Sequence, residues 1–296
     1  MVEKPKTDKL FNFAPNSYLE RTARPVYGIV FLLPFIIFYE VGTLLINTDL
    51  LNRSQVRVVA FVWLQNALEY LGFGSKFAWA APPLAAMLIL AAWQLASRKS
   101  WRFNKHDFGP MICECILLAV PLIVLSLFLN SPRPVENYHL QSQTAPALLN
   151  PEAPIAILAV ADDEHDSAVQ TTKTSVLANI ITGIGAGIYE ELVFRLVLIC
   201  ALMIVFQDFL RFEQRTSIIL SVLISAALFS AHHHIVFVDG QLAINAPFNW
   251  TEFLFRTIAG VYFAALFAIR GFAITAGTHA LYDTIAVIIN AAFFGP

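Results

Sequence analysis

Seven apolar runs dominate this sequence, at about 27–47, 77–97, 110–130, 176–206, 216–237, 252–270 and 272–292. A helix needs about 20 such residues to cross the hydrocarbon core of a bilayer. The expected fold is therefore all-α: a polytopic membrane bundle of about seven transmembrane helices enclosing a polar cavity. Composition agrees. Of 296 residues, 57% are apolar and 14% charged, against about 25% charged in soluble domains. A soluble domain of this length cannot bury so many apolar side chains. The stretch Val56–Phe73 is apolar but carries Arg57, Gln65, Asn66 and Glu69, which predicts an interfacial amphipathic helix. An eighth span is the alternative.

Basic residues orient the chain. Lys4, Lys6, Lys9, Arg21 and Arg24 precede the first run, and Arg98, Lys99, Arg102 and Lys105 separate the second from the third. Arg211 and Arg215 separate the fourth from the fifth, and Arg270 the sixth from the seventh. Cytoplasmic loops are enriched in Lys and Arg, so the N-terminus is expected in the cytoplasm and the C-terminus outside, with the protein in the plasma membrane if the host is bacterial. Residues 1–26 read as a cytoplasmic tail without a signal peptide, and 27–296 as a single membrane domain. The connector 131–173 holds the acidic run Asp162-Asp163-Glu164-His165-Asp166; it reads as a solvated loop, with a substrate-guiding element as the alternative. Cys113, Cys115 and Cys200 lie in apolar runs and read as small buried hydrophobes. No basic stretch suggests nucleic acid, and no internal repeat suggests a transporter.

Glu190-Glu191-Leu-Val-Phe-Arg195 interrupts the fourth run. A carboxylate or arginine near a helix centre costs roughly 2.5–3.5 kcal/mol on insertion scales. Three together need about 8–10 kcal/mol of compensation, and such residues usually mark a working site. Glu191 and Arg195 are four apart, share a helix face and can pair. Glu190 lies about 100° around the helix, which leaves it as the free carboxylate. The competing reading makes all three packing salt bridges. Gly183 and Gly187, just upstream, form a small-residue face for close helix approach.

Other polar groups gather on later runs. Phe229 and His233 share a face, as do His279 and Asp283, each pair being four apart. His232, His233 and His234 fan out around a helix, so one or two of them are expected to serve a site.

These three motifs, in order on successive apolar runs, resemble those of the CPBP family, which comprises type II CAAX prenyl endopeptidases and bacteriocin-processing or self-immunity proteins. The resemblance covers about 174–290. It implies an intramembrane endopeptidase in which Glu190 activates water, His233 positions that water and His279 helps form an oxyanion hole with position 283. Glu191, Arg195 and Phe229 would support the site. The third motif usually ends in Asn, whereas this chain has Asp283. An ionised Asp donates no hydrogen bond to an oxyanion, so Asp283 is expected to orient His279 from behind. The implied partners are a peptide or protein substrate, lipidated in part of the family, and the bilayer.

No cofactor is expected. Zinc held by one Glu and two His is the alternative, without the His-Glu-x-x-His spacing of zincins. A non-catalytic scaffold or self-immunity protein is the other. These boundaries also pose a geometric problem. They put His233 about 17 residues into the fifth run, roughly 25 Å deep, and His279 only about seven into the seventh.

Overall fold

The structure, a computed structural model, describes residues 14, 16–49, 59–70, 80–129, 167–238, 241–244 and 248–293. The acidic run at 162–166, most of the 131–173 connector, and Lys4, Lys6, Lys9, Arg53, Arg57 and Lys76 lie outside the described residues.

In chain order the elements are α1 (Tyr18–Thr22), α2 (Pro25–Asp49), α3 (Val59–Tyr70), α4 (Ala81–Ser97) and, after a 3-10 turn at Lys105–Asp107, α5 (Phe108–Leu129). Then comes α6 (Ser167–Glu191), continued by a π-helical segment (Leu192–Ile199), α7 (Cys200–Met203) and a second π-helical segment (Ile204–Phe209). Last are α8 (Gln214–Ala231), strands β1 (Ile235–Val238) and β2 (Gln241–Ile244), α9 (Trp250–Arg270) and α10 (Phe272–Phe293). Thus α1 already forms within the predicted N-terminal tail.

Among the described residues, six helices are long and apolar enough to cross a membrane: Pro25–Leu45, Lys105–Leu129, Val176–Phe209, Gln214–Ala231, Trp250–Arg270 and Phe272–Phe293. The seventh apolar helix, α4, has 17 residues. The 12-residue α3 is about 18 Å long at 1.5 Å per residue, too short to span. It buries Ala60 and Phe61 against the bundle core.

The long apolar helices alternate in direction along the chain. Val26 of α2 donates its N–H to Gln94 of α4, and Gly42 of α2 meets Ile181 of α6. Gly277 of α10 meets Phe31 of α2 and Cys115 of α5. The basic residues Arg21, Arg24, Arg98, Lys99, Arg102, Lys105, Arg211, Arg215 and Arg270 accordingly fall at one end, and the last turn of α10 at the other.

The backbones of α6 and α10 approach closely. A Cβ on Gly187 would lie 2.3 Å from the Ala280 nitrogen, and one on Gly183 would lie 2.7 Å from the Asp283 Cβ. No side chain fits at either place, so these glycines let α10 carry His279 and Asp283 against α6. At the other end Gly271, at φ 77°, makes the one-residue turn between α9 and α10, a conformation that favours glycine.

The basic end is closed by a polar network. Arg270 holds Glu114 through both Nε and Nη2, and also the Leu19 carbonyl and the Thr22 hydroxyl, each at 2.9 Å. Tyr18 donates to Glu114. Arg21 grips Asp107 with two hydrogen bonds, and Tyr27 donates to the same carboxylate. Two carboxylates within the apolar helices thus have partners: Glu114 with Arg270, and Glu40 with the Tyr189 hydroxyl. Arg256 pairs with Glu252, one turn earlier on α9.

Three expectations change. The fifth helix stops at Ala231 rather than 237, because Ile-Val-Phe-Val and Gln-Leu-Ala-Ile flank Asp239-Gly240, a strong hairpin signal. The strands pair antiparallel with Ile235 opposite Ile244 and Val238 opposite Gln241. Of the cysteines only Cys115 is buried; Cys113 and Cys200 face the outside of the bundle, where lipid accepts an apolar thiol as readily as a core does.

The third concerns depth. Glu190 lies nineteen residues before Phe209, and His233 nineteen after Gln214. Both are therefore level in the hairpin formed by α6, its π-helical continuation and α8. His279 lies seven residues after Phe272, and Phe263 seven before Arg270. The two hairpins are staggered by about a dozen residues, or about 18 Å, and that stagger brings the three motifs to one height.

Candidate functional site

Seven residues singled out by the sequence meet where α6, α8, α9 and α10 converge. Glu190 and Glu191 end α6. Arg195 sits in the π-helical segment that follows, and π-helical turns are frequent at functional sites. Phe229 lies near the end of α8. His233 follows in the turn beyond Ala231, and His279 and Asp283 lie one turn apart on α10.

The two glutamates face different partners. Glu191 and Arg195 are fully buried, with Oε2 and Nε 3.1 Å apart. These atoms are at ion-pair distance without hydrogen-bond alignment. The guanidinium also lies over the Phe229 ring, 4.4 Å from its centroid, and reaches the Gly260 carbonyl at 3.4 Å. The other Glu191 oxygen is 2.9 Å from His279 Nδ1. Glu190 turns instead to His232, whose Nε2 is 3.4 Å from its carboxylate.

His232 is the residue that sequence reasoning did not single out. Helical fanning separates successive side chains, but 232–234 lie in a turn, and the His232 and His233 rings stand 3.9 Å apart. Both place Nδ1 against one acceptor, the Phe229 carbonyl. A carbonyl only accepts, so both Nδ1 atoms carry hydrogen, and in the neutral rings both Nε2 atoms present lone pairs. One carbonyl thereby sets two tautomers. The ligand atoms of Glu190, His232 and His233 all lie within 4.8 Å of one another. His234 turns away to pack against Phe248 and Phe253.

His279 is clamped. Its ring stacks on Phe263 with centroids 4.4 Å apart. Glu191 meets Nδ1, and Asp283 lies 3.5 Å from Nε2. The buried Glu191 thus occupies the rear of the ring, while Asp283 stands on the open side.

That open side is a 370 Å³ cavity lined by His233, His279, Asp283, Tyr282 and Phe263 and reaching Leu129, Thr251 and Glu252. Leu129 ends α5 and Thr251 lies in the first turn of α9, so the cavity runs toward the end of the bundle opposite the Arg270 network. It exposes His233 and His279 to the same space.

Residues 172–285, well under half of the chain, match the family model described as type II CAAX prenyl endopeptidase Rce1-like. The match contains all three motifs. No curated protein and no solved structure matches the chain. The segment that holds the buried carboxylates and histidines therefore matches an Rce1-like domain of the CPBP family, and the long apolar helices make the chain a multi-pass helical membrane protein.

Proposed function

We propose that this protein is an intramembrane endopeptidase in which Glu190 activates water. The observation that carries the reading is the grouping of the Glu190 carboxylate with the imidazoles of His232 and His233 beside a cavity that reaches His279. A water at this junction donates one hydrogen to Glu190 and the other to a histidine Nε2. Glu190 takes the first proton as the water oxygen bonds to the scissile carbonyl carbon. The carbonyl oxygen gains negative charge and is met from the His279 side of the cavity. The C–N bond then breaks, the proton held by Glu190 passes to the leaving amine, and the acid and amine products retain all the atoms of peptide and water.

The test is incubation of the detergent-solubilised chain and its Glu190→Gln variant with a peptide library. Wild type cleaves and the variant loses at least about 10²-fold, the low end of a general base's contribution, with an unchanged melting temperature. Equal activity of the two, or no cleavage by either, removes the reading.

One observation favours a second reading. Two Nε2 lone pairs and a carboxylate, with both Nδ1 atoms fixed by a carbonyl, are a suitable donor set for zinc with an open position. Bound zinc would supply acidification of a coordinated water. Metal analysis of the purified chain, with chelator treatment, separates the two readings: zinc at one equivalent that is lost in His232→Ala favours the metal, and chelator-resistant cleavage favours Glu190 alone.

The common end shared by the basic residues supports a cytoplasmic placement of that end. The substrate class is a peptide or protein, whether or not lipidated.

A further inference from the structure

We propose that the outer edge of β1 is a strand-addition site, where an extended substrate peptide pairs its main chain before entering the cavity. This rests on the peptidase reading above.

Three observations carry it. First, the hairpin is strung between two residues of the cavity wall: His233 lies two residues before β1, and Thr251 lies in the first turn of α9, after β2. The hairpin is thus attached at the end of the bundle toward which the cavity runs.

Second, among the described residues the register leaves the outer edge of β1 unpaired. Two residues separate Val238 from Gln241. The pair next to so short a turn exchanges both main-chain hydrogen bonds, and pairs alternate from there. Val238 and Val236 therefore bond inward, to Gln241 and Ala243, while Ile235 and Phe237 turn N–H and C=O outward. Among the described residues the sheet has only these two strands. Open strand edges recruit extended chains. An extended chain also frees the scissile carbonyl, which in a helix is already bonded.

Third, His234, immediately before β1, is buried at 3% exposure, and neither ring nitrogen has a hydrogen-bond partner among the described residues. A buried, unbonded imidazole is costly. At the cavity end of the edge, under Phe248 and Phe253, it gains a donor and an acceptor partner from a main chain that displaces these rings. We assign the site to β1 rather than β2 because β1 leads directly from the three histidines.

The test uses the intact chain in detergent and one fluorogenic peptide whose cleavage depends on Glu190. That peptide is N-methylated at one main-chain position at a time. The expected pattern is alternation: every second methyl on one side of the scissile bond raises KM about tenfold, the loss of one hydrogen bond, while the intervening ones leave it near the parent value. In the protein, Phe237→Pro removes an outward N–H of β1 and raises KM by a similar factor. Leu242→Pro removes the matching donor on β2 and leaves KM unchanged. Uniform tolerance of N-methylation, a non-alternating loss, or equal effects of the two proline variants overturns the proposal while leaving the Glu190 reading intact. Cleavage that does not depend on Glu190 overturns that reading instead.

Discussion

Each glutamate of the adjacent pair has its own set of partners, and substitution should separate them. Arg195 is fully buried against Glu191, so Arg195→Met leaves a buried carboxylate uncompensated. The expected cost is about 3–5 kcal/mol, read as a large fall in melting temperature in detergent whether or not substrate is present. Asp283 is different. It faces the cavity 3.5 Å from His279 Nε2, and its replacement by Asn exchanges an acceptor for a group that can donate toward a developing oxyanion. Asp283→Asn should keep or raise kcat; a complete loss in a folded protein would refute an auxiliary role for this carboxylate. The Glu191–Arg195 spacing was legible in the sequence because i, i+4 geometry follows from the helix alone. The place of His232 was not, since it depends on the helix ending at Ala231 so that two successive rings reach one carbonyl.

At the scale of elements, the contact between α6 and α10 positions the chemistry. Gly187→Val would drive a side chain into the Ala280 backbone and separate His279 from Glu191. Loss of folded protein by size-exclusion chromatography is the expected outcome. A Cβ added at Gly109, at the start of α5, would meet nothing within 4 Å. Gly109→Ala should therefore leave the elution profile unchanged or raise the melting temperature slightly, by the gain in helix propensity of roughly 0.5–1 kcal/mol. The small-residue spacing announced such a face, and apolar run lengths located the long helices to within a few residues. The hairpin carried a sequence signal too, Asp239-Gly240 between apolar runs, but it sits inside what length alone reads as the end of a membrane span. The stagger of the two helical hairpins had no local signal. It depends on where each turn falls relative to the packed glycines, which is a tertiary property.

At the scale of the molecule, the seven alternating apolar helices among the described residues put the first residues of α2 and the last of α10 at opposite ends. Reporter fusions or impermeant thiol reagents directed at cysteines introduced at Arg98 and Phe293 should therefore label from opposite faces of sealed vesicles. Labelling from the same face would contradict the alternation. The family match lies at residues 172–285, yet α2 and α3 pack directly on that segment: Tyr39 and Phe61 press on Tyr189, the neighbour of Glu190.

The Arg270 network also bears on the order of assembly. Its guanidinium bonds to Leu19, Thr22 and Glu114, groups made some 150–250 residues earlier in synthesis. The ribosome delivers a chain N-terminus first, so α1 and the start of α5 wait for α9 before that end can close. The single-residue turn at Gly271 then lays down α10, with His279, directly after the closure. A nascent chain consequently holds Glu190 and Glu191 with no His279 to face until α10 has been made, and the contact between Glu191 and His279 forms only after the Arg270 end can close.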